Sequence, residues 1–194
     1  ASGLIGAVGA WVLDRAFADV RRWHDAGHRV DVGVNLSPTQ LARAGFADDF
    51  FARMAAHGVD PSWVVAEVTE TALMSESSVA YRALADLHDR GVRIALDDFG
   101  TGYSSLSWLH RFPVDIVKID KSFVQSMVTD HRRAVVVRAV LDIADEIGLG
   151  VVAEGVETDV ERQVLLELGC ASAQGWLFGR AVEVEAAFPD LAAV

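Results

Sequence analysis

The sequence predicts an α/β fold with a mostly parallel sheet, and three observations support this prediction. Short β-branched runs alternate with longer segments in which apolar residues recur at helical spacing. A glycine follows most of the helical segments and marks their ends. The predicted strands are apolar nearly throughout, as expected of strands that are covered on both faces. Repeated helix–glycine–strand units of this kind are typical of parallel sheets.

The elements follow one another without an interior linker or a low-complexity tract. Strands are predicted at residues 30–34, 64–68, 92–96, 116–119, 151–153 and 171–173. Helices are predicted at residues 4–26, 48–56, 78–90, 134–147 and 159–168. We therefore expect a single domain over residues 1–194.

Composition excludes several classes of protein. With 52% hydrophobic and 23% charged residues among 194, the chain can bury a core and is not intrinsically disordered. No apolar run approaches the ~18 residues of a membrane-spanning helix. One cysteine, Cys170, provides no disulfide framework. The net charge of −11 disfavours DNA and anionic membranes as partners.

Two architectures compete, an open doubly wound sheet and a (β/α) barrel. No G-x-G-x-x-G motif follows a predicted strand, which weakens the nucleotide-binding doubly wound alternative. Polar residues lie at or just past the carboxyl end of nearly every strand, and in a barrel these ends meet at one mouth. The set comprises Asn35, Glu67, Glu70, Asp97, Asp98, Lys118, Asp120, Glu154, Glu157 and Gln174. This distribution favours the barrel.

Each of these residues also has an ordinary explanation. A lone acid after a strand is usually a helix cap or a turn residue, and Lys118 alone could extend along the surface into solvent. Repetition over successive strands weakens that explanation, because gathering carboxylates is costly without a counter-cation. Carboxylate and amide oxygens suit Mg²⁺ or Mn²⁺, and a lysine beside such a metal suggests phosphate chemistry.

Six strings carry a resemblance to a known family. They are VNLS (34–37), EVTE (67–70), DDFGTGYSSL (97–106), KIDKSFV (118–124), AEGVET (153–158) and QGWLFGR (174–180). In this order and spacing they resemble the EAL domain, the cyclic di-GMP phosphodiesterase of bacterial signalling. The resemblance implies a TIM-type (β/α) barrel that hydrolyses cyclic di-GMP to linear pGpG with Mg²⁺ or Mn²⁺, two ions per site.

The resemblance also implies residue roles. Asn35, Glu67 and Asp97 would be metal ligands, and Asp98 and Glu154 would serve a second metal and activate water, with Lys118 beside them. Gln174 would help to place metal-site groups or substrate. Glu70 would hold the loop that begins at Asp97, and Glu157 would support the site from behind the ligands.

Two departures from the family pattern stand out. The resemblance starts past the first two family strands, so we expect a barrel that lacks its N-terminal hairpin, with the Glu-Ala-Leu segment and its metal-binding glutamate absent. Ala181 stands where the family usually has proline. Activity of this chain is therefore left open, although the intact domain is expected to be an enzyme.

Three hypotheses follow for function. The first is a cytoplasmic phosphodiesterase domain that forms homodimers and itself contacts no DNA or membrane. It would be fused to a sensor or cyclase domain in a larger protein, either wholly cytoplasmic or anchored in the membrane by another part. The second is a cyclic di-GMP-binding or regulatory module without turnover. The third is an inactive fragment held together by dimer contacts. The retained acids and Lys118 favour the first.

Overall fold

The structure is a computed structural model, and it describes residues 2–70, 78–100 and 112–187. Two compact units make up the chain. The first unit comprises Ala1–Val68, Ala72–Ile94 and Val182–Val194, and the second comprises Thr69–Thr71 and Ala95–Ala181. No helix in the described ranges combines the length and the apolar character that crossing a bilayer requires.

The first unit is mainly helical, with two parallel strands. Its described elements are α1 (Ser2–Asp25), β1 (Val32–Asn35), α2 (Pro38–Leu41), α3 (Phe46–His57), a 3₁₀ turn (Pro61–Trp63), β2 (Val64–Thr69), α4 (Ser78–Asp89) and the short α8 (Val184–Ala187). Strands β1 and β2 run in parallel, with Val32 opposite Val64 and Asn35 opposite Glu67. The core of this unit is aromatic where α1 meets α3: the buried rings of Phe17 and Phe50 meet edge to face, with centroids 5.3 Å apart.

The second unit holds the remaining strands, which pair in parallel in chain order. Its elements are β3 (Arg93–Phe99), β4 (Ile116–Ile119), α5 (Lys121–Met127), α6 (His131–Glu146), β5 (Gly150–Ala153), α7 (Asp159–Leu168) and β6 (Ser172–Ala173). Strand β3 begins in the first unit and belongs to the second from Ala95 onward. Strand β4 pairs with β3 on one side and with β5 on the other, and β5 pairs with β6. Helices α5, α6 and α7 cover this sheet with a core that includes Ile119, Phe123, Val156 and Leu165.

The observed elements confirm the predicted parallel α/β fold and correct some boundaries. Strand β4 and helix α7 have the predicted bounds, whereas α2, α5 and α8 were not predicted. The third strand was predicted to end at residue 96, but β3 continues through Asp97 and Asp98 to Phe99. It continues because Phe99 pairs again with Ile119 after an irregularity in the ladder.

Candidate active site

An irregularity in β3 places two consecutive aspartates at the end of the strand. Leu96 lies opposite Val117 and Phe99 lies opposite Ile119, so β3 uses one more residue than β4 over this interval. Asp98 accommodates the extra residue with a φ of 57°, and its amide donates to Asp97 Oδ1 at 3.0 Å. Strict alternation would send the two side chains to opposite faces. The bulge instead lets both carboxylates join one cluster.

Lys118 of β4 lies between two carboxylates. It is 5% exposed, and its Nζ lies 2.6 Å from Glu154 Oε1 and 3.3 Å from Asp97 Oδ1. The side chains of Asp97 and Glu154 are each 15% exposed. One ammonium thus faces two shielded carboxylates, and the group with Asp98 keeps an excess of negative charge.

Glu154 and Gln174 follow the next two strands and contact each other. Glu154 comes directly after β5, where its amide donates to Ile119 O at 3.0 Å, and Gln174 comes directly after β6, where its amide donates to Ala153 O at 2.8 Å. Gln174 Nε2 donates to Glu154 Oε1 at 2.6 Å. These backbone hydrogen bonds between neighbouring strands fix the positions of Glu154 and Gln174 at the carboxyl ends of β5 and β6.

The surroundings of Asp98 raise its pKa. Partial burial and the negative charges of Asp97 and Asp120 raise the pKa of Asp98, against the opposing positive charges of Lys118 and Lys121. Asp120 received no role from the sequence. It caps helix α5 by accepting from Ser122 N at 2.9 Å. Its position directly after β4, two residues beyond Lys118, was a usable signal, because alternation in an extended segment puts residues i and i+2 on the same face.

The cluster fits a hard divalent cation. Carboxylate oxygens of Asp97, Asp98 and Glu154 lie within 4.8 Å of one another. Oxygen ligands of this charge suit Mg²⁺ or Mn²⁺, and the mutual repulsion at Asp98 is relieved when a cation binds. The side-chain chemistry of these three residues therefore agrees with the predicted metal.

Asn35 and Glu67 form a pair within the first unit. They lie opposite each other on β1 and β2, and Asn35 Nδ2 donates to Glu67 Oε2 at 3.3 Å. The Glu67 carboxylate lies over Gly33, where a Cβ would stand only 2.4 Å from Glu67 Oε1. The parallel register thus brings together two residues for which the family resemblance implies metal binding.

The two remaining predicted residues are Glu70 and Glu157, which were expected to support the site rather than to bind the metal. Glu70 is buried, at 8% exposure, but most of the loop that it was predicted to hold lies at residues 101–111, outside the described residues. Glu157 is exposed and accepts from Gln125 Nε2 at 3.3 Å. The supporting roles expected for Glu70 and Glu157 stay predictions.

Parallel strands with acids and a lysine at their carboxyl ends are characteristic of (β/α)-barrel proteins, whose active sites lie at those strand ends. The chain belongs to the EAL domain family, whose sequence model matches residues 1–181. The resemblance found in the motifs and the predicted fold class are both confirmed.

Relatives and solved structures give the same assignment. The chain is 41% identical over 185 residues to the bifunctional diguanylate cyclase/cyclic di-GMP phosphodiesterase MucR of Pseudomonas aeruginosa, a match that covers 95% of this chain and 27% of MucR. The chain likewise spans only 25% of a similar protein of Azorhizobium caulinodans and 30% of one of Mycobacterium bovis.

Two solved structures carry the ligands of interest. A MucR phosphodiesterase complex with c-di-GMP superimposes with a TM-score of 0.90 at 41% identity, covering 96% of this chain and 76% of that one. Klebsiella pneumoniae BlrP1 in a manganese/c-di-GMP complex superimposes with a TM-score of 0.81 at 32% identity, covering 89% of this chain and 44% of that one.

Proposed function

We propose that this chain is the catalytic part of a metal-dependent phosphodiesterase that hydrolyses cyclic di-GMP to linear pGpG. The observation that carries the proposal is Lys118 held between Asp97 and Glu154, with Asp98 beside them. The phosphodiesterase name of MucR and the c-di-GMP in two similar structures support the substrate.

Asp97, Asp98 and Glu154 would hold Mg²⁺ or Mn²⁺ through their clustered oxygens, and we propose two ions per site. When bound, such ions polarise the phosphoryl oxygen and lower the pKa of a bound water. Manganese in the BlrP1 complex supports this choice of metal. Asn35 and Glu67 would also act as metal ligands, as the family resemblance implies.

Lys118 would stabilise the charge that develops during hydrolysis. Water adds to phosphorus, one ester P–O bond breaks, and the departing sugar oxygen takes up a proton, so one water is consumed for each cyclic dinucleotide. Negative charge grows on the non-bridging oxygens in the transition state, and a buried ammonium already oriented by Asp97 and Glu154 needs no reorganisation to meet it.

Glu154 would accept the proton of the attacking water. The Lys118 ammonium and the Gln174 amide both contact its Oε1, so the orientation of the carboxylate is set from two sides. Asp98 would share in activating the water. In this proposal Gln174 orients Glu154 or the substrate, Glu157 supports the turn after β5, and Glu70 holds the loop that begins at Asp97.

We also propose the setting in which the activity operates. Residues 1–194 would act as one EAL-type domain in the cytoplasm, as a homodimer, fused to a sensor or cyclase domain and without contact to DNA or membrane. The bifunctional cyclase name of MucR, of which the chain matches 27%, supports a fused cyclase.

The test is to incubate the full-length protein with cyclic di-GMP and either Mg²⁺ or Mn²⁺ and to follow pGpG by chromatography. We expect pGpG to form with metal and not with excess chelator, and Asp97→Asn to abolish it. Binding of cyclic di-GMP without release of pGpG under both metals would contradict the proposal and support a regulatory module instead.

A further inference from the structure

A buried carboxylate lies next to the turn that follows β5, and the proposed mechanism does not use it. Glu161, in the first turn of α7, is 7% exposed. Its Oε2 accepts from the amides of Glu157 at 2.7 Å and Thr158 at 2.9 Å. Thr158 Oγ1 in turn accepts from Glu161 N at 3.2 Å.

Part of this arrangement is an ordinary helix cap. In a capping box, the N-cap side chain accepts from the N3 amide and the N3 side chain accepts from the N-cap amide, as Thr158 and Glu161 do. The bond from Glu157 N goes beyond that motif, because Glu157 precedes the helix. The Glu161 carboxylate therefore also restrains the turn on the N-terminal side of α7.

The turn that it restrains connects directly to the candidate active site. Glu154 opens the turn, and Val156 lies at its centre with no exposed surface. Val156 N donates to Gln174 O at 3.1 Å, and Leu177 N donates to Val156 O at 3.0 Å. The same few residues thus carry Glu154 and bind the segment that carries Gln174.

Gly155 allows the turn to lie close to helix α5. Its φ is +65°, and a Cβ there would stand 2.4 Å from Lys121 Cβ. The front of the turn is therefore fixed by packing and by the sheet, whereas its last two amides depend on Glu161.

From these contacts we infer that Glu161 is a positioning residue of the phosphodiesterase site, which orients Glu154 toward Lys118 and Gln174 by holding the backbone of residues 157 and 158. This inference rests on the proposed function. A carboxylate that accepts two amide hydrogens forms charge-assisted bonds, which are stronger than neutral ones. Glutamine keeps a carbonyl oxygen that can accept the same two hydrogens, whereas leucine keeps the size and loses both bonds.

The experiment compares Glu161→Leu, Glu161→Gln and the control Thr158→Ala with the wild-type protein. Thr158→Ala removes the other half of the capping box and leaves the carboxylate in place. Mn²⁺ binding is measured by calorimetry, amide hydrogen exchange is measured over residues 154–158, and kcat and KM are measured for pGpG release.

We expect Glu161→Leu to speed exchange in residues 154–158 and to weaken Mn²⁺ binding by about tenfold, the scale found when groups that orient metal ligands are removed. It should lower kcat more than it raises KM. Glu161→Gln should keep both the exchange rates and the Mn²⁺ affinity near the wild-type values. Thr158→Ala should lower the melting temperature while Mn²⁺ affinity stays within about twofold.

Equal effects of Glu161→Leu and Thr158→Ala on exchange and Mn²⁺ affinity would overturn the inference and leave a helix cap only. Faster exchange with unchanged Mn²⁺ affinity in Glu161→Leu would overturn it as well. A wild-type protein that releases no pGpG contradicts the proposed function itself, and the exchange and Mn²⁺ measurements still decide the role of Glu161.

Discussion

At the scale of the residue, Lys118 is the side chain on which the proposed chemistry depends most. A buried lysine between two carboxylates has two explanations, a structural ion pair and a charge kept ready for the transition state. Both predict destabilisation when the lysine is removed, since the carboxylates are left facing each other. The explanations differ in kinetics, because a group that acts in the transition state affects kcat more than KM.

Replacing Lys118 by Met should therefore lower kcat by about 10²-fold or more while KM changes by less than about threefold. Initial rates of pGpG release over a range of cyclic di-GMP concentrations measure both constants. The matched control is Arg162→Met, which removes the cation from an exposed ion pair with Asp159. Such a surface pair contributes about 0–1 kcal/mol to folding stability. Because Arg162 has no role in the proposed chemistry, kcat and KM should be unchanged. A near-normal kcat in Lys118→Met would leave Lys118 a purely structural role.

Asp98 gives a prediction for the pH dependence of stability. Its pKa in the folded protein is raised by burial, then by Asp97 and Asp120, so the fold disfavours its charged form. For a carboxyl with a raised folded pKa, the stability it contributes is present at low pH and is lost as the pH rises through that pKa. Asparagine does not titrate and also tolerates the left-handed backbone of residue 98.

Without metal, Asp98→Asn should therefore be more stable than the wild-type protein at pH 7. This advantage should shrink as the pH falls through the raised pKa of Asp98 and should be nearly gone at about pH 4. Thermal melts in chelator across this pH range measure the difference. Asp60→Asn is the control of opposite sign, because hydrogen bonds from Ser62 lower the pKa of Asp60. Asp60→Asn should be less stable than the wild-type protein at neutral pH. The difference in stability between the two proteins should become smaller as the pH falls. A pH-independent difference for Asp98→Asn would contradict the assigned cause.

At the scale of the element, the sequence predicted which strands end at the candidate site, but not how each chain segment turns there. Apolar runs set β4 correctly, and the polar residue after each run located Glu154 and Gln174. The bulge at Asp97 and Asp98 could not be predicted, because it depends on how β3 pairs again with β4. Helix α5 was missed since it is only seven residues long and its cap, Asp120, also ends a strand.

Glycines after β6 allow a sharp test of one of these turns. Gly175 and Gly179 have nearly the same φ, +154° and +157°. A Cβ at Gly175 would stand 2.2 Å from Val156 O, whereas a Cβ at Gly179 would have no heavy atom within 4 Å. The two positions thus have the same backbone φ and differ in whether they pack against the turn that follows Glu154.

Gly175→Ala should accordingly cost about 1–3 kcal/mol more than Gly179→Ala, because Val156 presents backbone atoms that cannot rotate away. Urea unfolding measures this difference. The variant should also lose activity, since the displaced segment carries the Gln174 amide away from Glu154. Equal costs at both positions would mean that the close approach at Val156 is not part of the folded structure in solution.

At the scale of the whole molecule, the chain has an excess of acids, and three of them are gathered at one place. The chain carries a net charge of −11. Some of its acids, such as Asp25 and Asp48, lie on the surface in ion pairs with arginines that neutralise them. The group formed by Asp97, Asp98 and Glu154 differs because these acids converge, and the Lys118 ammonium contacts two of them. A cation that binds there acts on the folded state alone, so it should stabilise the protein as a whole.

Mn²⁺ at about 100 times its Kd should add about 2.7 kcal/mol of stability, or an increase in Tm of about 5–10 °C for a chain of this size. The increase should shrink as the pH falls, because metal binding requires deprotonated carboxylates and Asp98 protonates at a higher pH than an ordinary aspartate. Asp97→Asn should lose most of the increase, whereas Asp159→Asn, which changes an exposed acid on α7, should keep it. Thermal melts with Mn²⁺ and with chelator, at two pH values, measure all three proteins. The same increase in Asp97→Asn as in the wild-type protein would show that the stabilising metal binds elsewhere, and that the cluster at the end of β3 is not the metal site.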